Sequence, residues 1–283
     1  MKIGIGLPNT IPGVPGPALV EWAVRAEARG FEFVSTVDRL AYPSYDVLTT
    51  LAAVAGATTR IGLVTNALLA PTYPDLRLAK TTATLAALCP GRLTLGVGVG
   101  TRPADYPEPG QPFGARGRAL DRQLELLHRA WQGEAVADGT VVGPAVPGQR
   151  VPILIGGYGE HALRRTAAWG DGWTGAAGGT ARSAPMIQSV RQRWAEAGRA
   201  GTPRLLGLSY YSVGRERESD AYLRAYYGYE PDLAELAARA AVRGERELRH
   251  VPAAYEEAGF TELTFTPTLA DPDQVDRLAD LVL

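Results

Sequence analysis

The chain has 283 residues, of which 46% are hydrophobic and 21% charged, as is typical of a globular protein and not of a disordered or fibrous one. Its 29 basic and 30 acidic residues give a net charge of −1, which argues against broad electrostatic binding to nucleic acid or to an anionic membrane. One cysteine and three scattered histidines argue against a disulfide framework and against a metal site. No run of about 18 apolar residues predicts a membrane span, and the N-terminus has the pattern of a strand and not of a signal peptide, so we expect a cytoplasmic protein.

Short apolar or glycine-rich runs predict eight buried parallel strands, at residues 3–7, 33–37, 61–66, 93–99, 153–156, 172–175, 205–213 and 262–266. Helical periodicity predicts helices at 18–29, 77–88, 116–131, 162–169, 186–197, 233–242, 248–258 and 272–281. The stretches 101–114 and 133–151 are predicted loops, and 215–244 begins polar and then becomes helical. Strands that are nearly all followed by a helix predict an α/β protein, a single (β/α)8 barrel that forms one domain over residues 1–283. A doubly wound sheet is the alternative.

Candidate site residues follow the predicted strands, because binding and catalytic groups of a parallel barrel gather where its strands end. The candidate substrate-binding residues are Asn9, Arg39, Tyr42, Tyr45, Arg102 and Tyr106. Asp38 and Arg39 end a buried strand, so they form either a mutual ion pair at the rim or part of a cavity. The tyrosines in these loops either line a pocket or pack against the rim, whereas those between 210 and 229 are predicted to pack.

Two glycine-rich strand ends carry the strongest sequence signals for a cofactor. The run GVGVG at 96–100 either forms a tightly bulged strand or lets a flat ring approach the backbone. In ILIGGYGEHALRR, Gly156 and Gly157 end a strand and Gly159 precedes a helix, whose free N–H groups and dipole favour a phosphate. The alternative is an ordinary glycine-rich turn. The sequence has no nucleophile elbow, P-loop or paired-carboxylate motif, and this favours an enzyme whose cofactor carries the chemistry.

The segments GFEFVSTVDRL, LAKTTATLAALCPGRLTLGVGVG and PILIGGYGEHALRRTAAWGDGW resemble the bacterial luciferase-like family. That family comprises FMN monooxygenases and oxidoreductases that depend on the deazaflavin coenzyme F420. The resemblance covers nearly the whole chain and implies a TIM-like barrel, a homodimer, and a cofactor ring over the C-terminal strand ends. The residues that it assigns to the cofactor are Asp38 near the ring, Asn66 and Ala67 behind it, Gly98 and Gly100 at its flanks, and Gly157, Tyr158 and Gly159 at the phosphate. Gly156 is a further candidate cofactor-binding residue. The resemblance also places a non-prolyl cis peptide bond between Asn66 and Ala67.

The choice of cofactor depends on the end of the fourth strand. Val99 stands where some FMN enzymes of the family have an arginine for the phosphate, which favours F420. Thr101 stands where the F420-dependent sugar-phosphate dehydrogenases have a glutamate, which argues against glucose 6-phosphate as the substrate. The chain is similar to short F420 reductases that act on imines or conjugated alkenes in actinobacteria. We therefore expect an F420-dependent oxidoreductase that acts on a small organic molecule. An FMN monooxygenase and a catalytically silent flavin-binding accessory protein are the alternatives.

Overall fold

A computed structural model describes residues 1–107, 112–146, 148 and 150–283. Its strands in chain order are β1 (Lys2–Gly6), β2 (Phe33–Thr36), β3 (Gly62–Leu69), β4 (Leu93–Gly98), β5 (Ala135–Ala137), β6 (Thr140–Val141), β7 (Ile153–Gly156), β8 (Gly172–Thr174), β9 (Arg204–Tyr211) and β10 (Glu262–Pro267). Eight of them form a closed parallel barrel in the order β1-β10-β9-β8-β7-β4-β3-β2, and β5 pairs with β6 as an antiparallel hairpin outside it. Closure of the barrel confirms the predicted (β/α)8 fold and excludes the doubly wound sheet.

Helices surround the barrel. They are α1 (Gly16–Arg29), α2 (Val47–Ala57), α3 (Asp75–Leu88), α4 (Arg116–Trp131), α5 (Glu160–Trp169), α6 (Gly179–Glu196), α7 (Glu216–Tyr226), α8 (Pro231–Ala240), α9 (Glu245–Glu257) and α10 (Asp273–Val282). The core lies between them and the barrel. Helix α1, for example, buries Leu19, Trp22, Ala23 and Ala26, whose spacing of three and four residues places them on one helical face. None of the helices in the described ranges is long and apolar enough to cross a membrane.

The structure contains elements that the sequence analysis did not predict. Helix α2 is absent from the prediction because its segment, VLTTLAAVAGA, is apolar on most sides and has no clear polar face. Helix α7 lies in the stretch predicted as polar, and buries little beyond Ser219, Leu223 and Tyr226. Helix α6 begins at Gly179 and not at 186, with Pro185 inside it. Of the two predicted loops, residues 108–111, 147 and 149 lie outside the described residues.

Charged side chains line the N-terminal end of the barrel. Arg204 at the start of β9 donates two hydrogen bonds to Glu262 at the start of β10, at 2.6 and 2.9 Å, and a third to the Thr94 hydroxyl at 3.2 Å. Glu262 is buried, so the paired guanidinium balances a carboxylate that would otherwise be costly to remove from water. The opposite, C-terminal end of the barrel is open.

Candidate active site at the C-terminal end of the barrel

A cavity of about 380 Å³ lies at the C-terminal ends of the strands. Its floor begins at a bulge in β3, where the register against β4 shifts between Thr65 and Leu68. The peptide bond between Asn66 and Ala67 in this bulge is cis, as predicted. Gly96 of β4 faces the bulge, and a Cβ atom there would collide with the Thr65 carbonyl oxygen. The first glycine of GVGVG therefore accommodates the bulge, which then lies directly beneath the cavity.

Small groups and one amide form the floor of the cavity. A Cβ atom built on Gly98 or Gly156 would lie 3.6 or 3.5 Å from Ala67 Cβ, so these three residues pack closely without projecting side chains. The Asn66 amide is held by the Thr174 hydroxyl of β8, which donates to Oδ1 at 2.6 Å. Asn66 Nδ2 is buried and has no hydrogen-bond partner among the described residues. A buried donor without a partner beside a cavity needs an acceptor, and a ligand in the cavity is one source of it.

The Asp38 carboxyl group lies in the wall beside this floor. Its Oδ2 accepts a hydrogen bond of 2.9 Å from the backbone N–H of Leu69. Burial, aided by the nearby carboxylates of Asp46 and Asp105, raises the pKa of Asp38 to about 6 despite that hydrogen bond. A carboxyl group with this pKa can hold or release a proton near neutral pH.

The buried guanidinium of Arg39 pairs with Asp105, and not with the carboxyl group that precedes it in the chain. The Arg39 Nε lies 3.3 Å from Asp105 Oδ2. Three aromatic rings surround the guanidinium, with centroids 5.2, 4.9 and 4.8 Å away, in Tyr42, Tyr226 and Tyr229. The predicted mutual ion pair of Asp38 and Arg39 is thus not formed; both residues line the cavity instead, which was the alternative.

The turn between β7 and α5 forms the opposite side of the cavity. Gly157 and Gly159 have φ angles of 112° and 104°, in the region that glycine adopts without the strain that a side chain would cause. The turn is fixed from behind by Trp173 Nε1, which donates to the Gly157 carbonyl at 2.8 Å. The guanidinium of Arg182 lies 4.3 Å over the Tyr158 ring. The first N–H groups of a helix have no partners within it, so this turn and Arg182 together suit an anion.

The structure brings most of the predicted site residues together. The cavity wall contains Asp38, Arg39, Asn66, Ala67, Gly98, Gly100, Arg102, Gly156, Gly157 and Tyr158. The other predicted residues, Asn9, Tyr42, Tyr45, Tyr106 and Gly159, lie behind or beside this wall. Three of these side chains are held by hydrogen bonds to the backbone. The Asn9 amide binds both the N–H and the carbonyl of Val37, and the hydroxyls of Tyr45 and Tyr106 donate to backbone carbonyls at 2.7 and 2.6 Å.

Several residues of the wall were missed or misassigned by the sequence analysis. They are Thr174 and Arg182, and four of the tyrosines predicted only to pack, Tyr210, Tyr226, Tyr227 and Tyr229. These tyrosines contact one another as well as the cavity, and the hydroxyls of Tyr210 and Tyr227 are 2.8 Å apart. The dense run AYLRAYYGY at 221–229 was the signal for Tyr226, Tyr227 and Tyr229. No group of three or more metal-binding side chains occurs within the described ranges.

Comparison with known proteins identifies the family. Residues 1–279 match the model for the luciferase-like monooxygenases, so the chain belongs to that family and the predicted resemblance is confirmed. An uncharacterized protein of Mycobacterium tuberculosis is 31% identical over 207 residues, which are 62% of this chain and 71% of that one. An F420-dependent glucose-6-phosphate dehydrogenase of Nakamurella multipartita is 34% identical over 181 residues, 56% of this chain and 52% of that one. A solved F420-dependent secondary alcohol dehydrogenase in complex with an F420-acetone adduct has a similar fold, with a TM-score of 0.80 at 20% identity, covering 99% of this chain and 98% of that one.

Proposed function

We propose that the protein is an oxidoreductase that binds coenzyme F420 in this cavity and transfers a hydride between the deazaflavin and a small organic substrate. The observation that carries the proposal is the floor of the cavity, which combines a surface free of projecting side chains with a buried, unpartnered amide donor at Asn66. That combination fits a flat heterocycle with an acceptor at its edge. When bound, F420 supplies a ring that accepts or donates a hydride at carbon.

Each part of the site has a place in this proposal. Ala67, Gly98 and Gly156 support the ring, and Asn66 Nδ2 donates to it. The turn at Gly157 and the start of α5 hold the phosphate of the cofactor. We favour F420 over FMN because Val99, an apolar side chain, directly follows β4 where some FMN enzymes of the family have a phosphate-binding arginine, and because curated relatives include F420-dependent dehydrogenases.

The proposal assigns the proton to Asp38. Reduction of an imine or a conjugated alkene adds a hydride to one atom and a proton to the other, so a group that carries a proton near neutral pH is required. Asp38 lies in the cavity wall with a pKa of about 6, and its Oδ2 is held in place by the Leu69 N–H.

Titration of the protein with F420 and with FMN, each followed by the fluorescence of the cofactor, tests the proposal. We expect tighter binding of F420 than of FMN. Tight binding of FMN with none of F420 would support the luciferase-like monooxygenase alternative. Binding of neither cofactor would support the accessory-protein alternative, and both results would contradict the proposal.

A further inference from the structure

The cavity wall carries more positive than negative groups. Five charged side chains line its described part: Arg39, Arg102, Arg182, Asp38 and Asp105. Arg182 lies beside the proposed phosphate turn, after β8, whereas Arg39 and Arg102 follow β2 and β4. In the closed barrel β2 and β8 are separated by three strands in either direction, whereas β7 alone separates β4 from β8. Arg39 therefore follows a strand that is not adjacent to β7, the strand whose turn is proposed to hold the phosphate.

Arg39 has unused hydrogen-bonding capacity although it is buried. Its side chain is 7% exposed, and its one hydrogen bond among the described residues is a long one of 3.4 Å to the Tyr226 carbonyl. The Nε atom approaches Asp105 but makes no hydrogen bond within the described ranges. A guanidinium has five N–H donors, and leaving them unpaired out of water is costly. The rings of Tyr226 and Tyr229 hold the group in place, so its free donors have a fixed direction.

A second guanidinium stands on the same aromatic wall. Arg102 lies 5.7 Å from the Tyr229 ring centroid, which Arg39 also contacts at 4.8 Å, and it donates to the Ala41 carbonyl at 2.7 Å. The neighbouring carboxylate, Asp105, accepts the backbone N–H of Ala41 at 2.9 Å in addition to approaching Arg39. Above about pH 6 Asp38 is ionised, so two guanidinium groups and two carboxylates balance on this side of the cavity, and a carboxylate of a ligand would be held by the free donors of Arg39 and not by an excess of positive charge.

We propose that Arg39 and Arg102 form a binding site for a carboxylate on the substrate, with the substrate's body lying along the rings of Tyr226 and Tyr229. Planar guanidinium groups match the two oxygens of a carboxylate, and flat aromatic walls favour an unsaturated or aromatic body. The assignment of this anion to a substrate depends on the proposed function, because it assumes that the cofactor occupies the floor. The anion site itself exists with or without that cofactor.

Isothermal titration of the full chain with benzoate and with benzamide tests the site, because the two probes share shape and aromatic body and differ in charge. We expect benzoate to bind about tenfold more tightly or better, as hydrogen bonds to a charged acceptor predict. Arg39→Gln and Arg102→Gln should each reduce that preference. Arg118→Gln, which removes an exposed guanidinium on α4, is the matched control and should leave it unchanged.

Equal affinity for the two probes, or an undiminished preference for benzoate in the glutamine variants, would overturn the inference. If Arg39→Gln fails to fold, Arg102→Gln alone tests the anion site. Arg102 is only half-buried, and its replacement leaves the Arg39–Asp105 pair intact. The titration is repeated in the presence of F420. Failure of F420 to bind contradicts the proposed function, whereas failure of benzoate to be preferred contradicts the anion site, so the two failures are distinguishable.

Discussion

The buried carboxyl group of Asp38 makes stability depend on pH. Its pKa is about 6 in the folded protein against 3.8 for a free side chain, so the folded state binds this proton more tightly than the unfolded chain does. Below about pH 4 the group is protonated in both states and costs nothing. As the pH rises from about 4 to about 6, the unfolded chain loses the proton first, and folding then carries a penalty of up to about 3 kcal/mol.

Asp38→Asn should remove that penalty, because the neutral amide can still accept the Leu69 N–H. Denaturant unfolding should show the variant more stable than the parent at about pH 7, by up to about 3 kcal/mol, with little difference at about pH 4. A stability difference that does not change between these two pH values would show that the carboxyl group does not titrate with a raised pKa.

The hydrogen bond from Thr174 to Asn66 fixes which side of the Asn66 amide enters the cavity. Thr174→Val keeps the shape of the side chain and removes the donor, so the amide can rotate and Nδ2 is no longer held toward the ring. We expect F420 affinity to fall by about tenfold, the usual loss for a hydrogen bond in a buried site. Thr264→Val is the matched control, because it breaks a buried hydroxyl pair with Ser35 elsewhere in the barrel. Equal affinities in the two variants would remove the positioning role of Thr174.

The sequence predicted most of the cavity-wall residues that lie at strand ends, Thr174 at the end of β8 excepted, and missed those that reach the wall from other segments. Asp38, Asn66 and Gly157 lie at strand ends, where the barrel pattern alone predicts exposure to the site. The tyrosines of α7 and the following turn reach the cavity because of how that helix packs over the barrel, which no local pattern specifies. Tyr45 failed for the opposite reason: it lies in the correct loop, but its hydroxyl is bonded to the Val14 carbonyl.

At the scale of elements, the turn between β7 and α5 is the part most sensitive to substitution. Gly157→Val would place a branched side chain at a φ of 112°, where the proposed phosphate meets the start of α5. We expect a loss of F420 affinity of about tenfold or more, together with a backbone strain of about 1–2 kcal/mol.

Gly198→Val is the control that separates the effect of backbone strain from a loss of cofactor binding. Gly198 also has a positive φ, of 65°, and open space around its Cβ position, but it follows α6 at a distance from the cavity. This variant should lose stability and bind F420 as the parent does. If Gly157→Val binds F420 normally while folded, the turn does not hold the phosphate.

The elements themselves were predictable to different degrees. Strands of the barrel are short apolar runs that stand out in the sequence, and all eight are present. Helices with one apolar face, such as α1 and α4, were equally clear. Helix α2 packs against other helices as well as the barrel, so its apolar residues lie on most sides and show no helical periodicity. Helix α7 buries so few residues that most of its sequence is polar, and its segment was predicted as polar.

In the molecule as a whole, the C-terminal end of the barrel forms the candidate active site, and we expect the N-terminal end to contribute only to stability. The N-terminal end carries the Arg204–Glu262 pair, at the opposite end of the barrel from the candidate active site, so substitution of this pair should change stability alone. Glu262→Gln should lower the free energy of unfolding by about 1–3 kcal/mol, because a buried charge-assisted pair is weakened. F420 affinity should be unchanged. Glu235→Gln, in an exposed ion pair with Arg224 and Arg239, is the control and should have no measurable effect on stability.

The proposed function depends on which cofactor binds in the cavity. The most direct measurement is a competition, in which the protein is mixed with equal concentrations of F420 and FMN, separated from free cofactor by gel filtration, and examined by absorption spectroscopy. Deazaflavin and flavin have different absorption spectra, so the spectrum of the protein fraction identifies the bound cofactor. We expect the protein fraction to carry the deazaflavin spectrum. A flavin spectrum in that fraction, or no bound cofactor at all, would contradict the account.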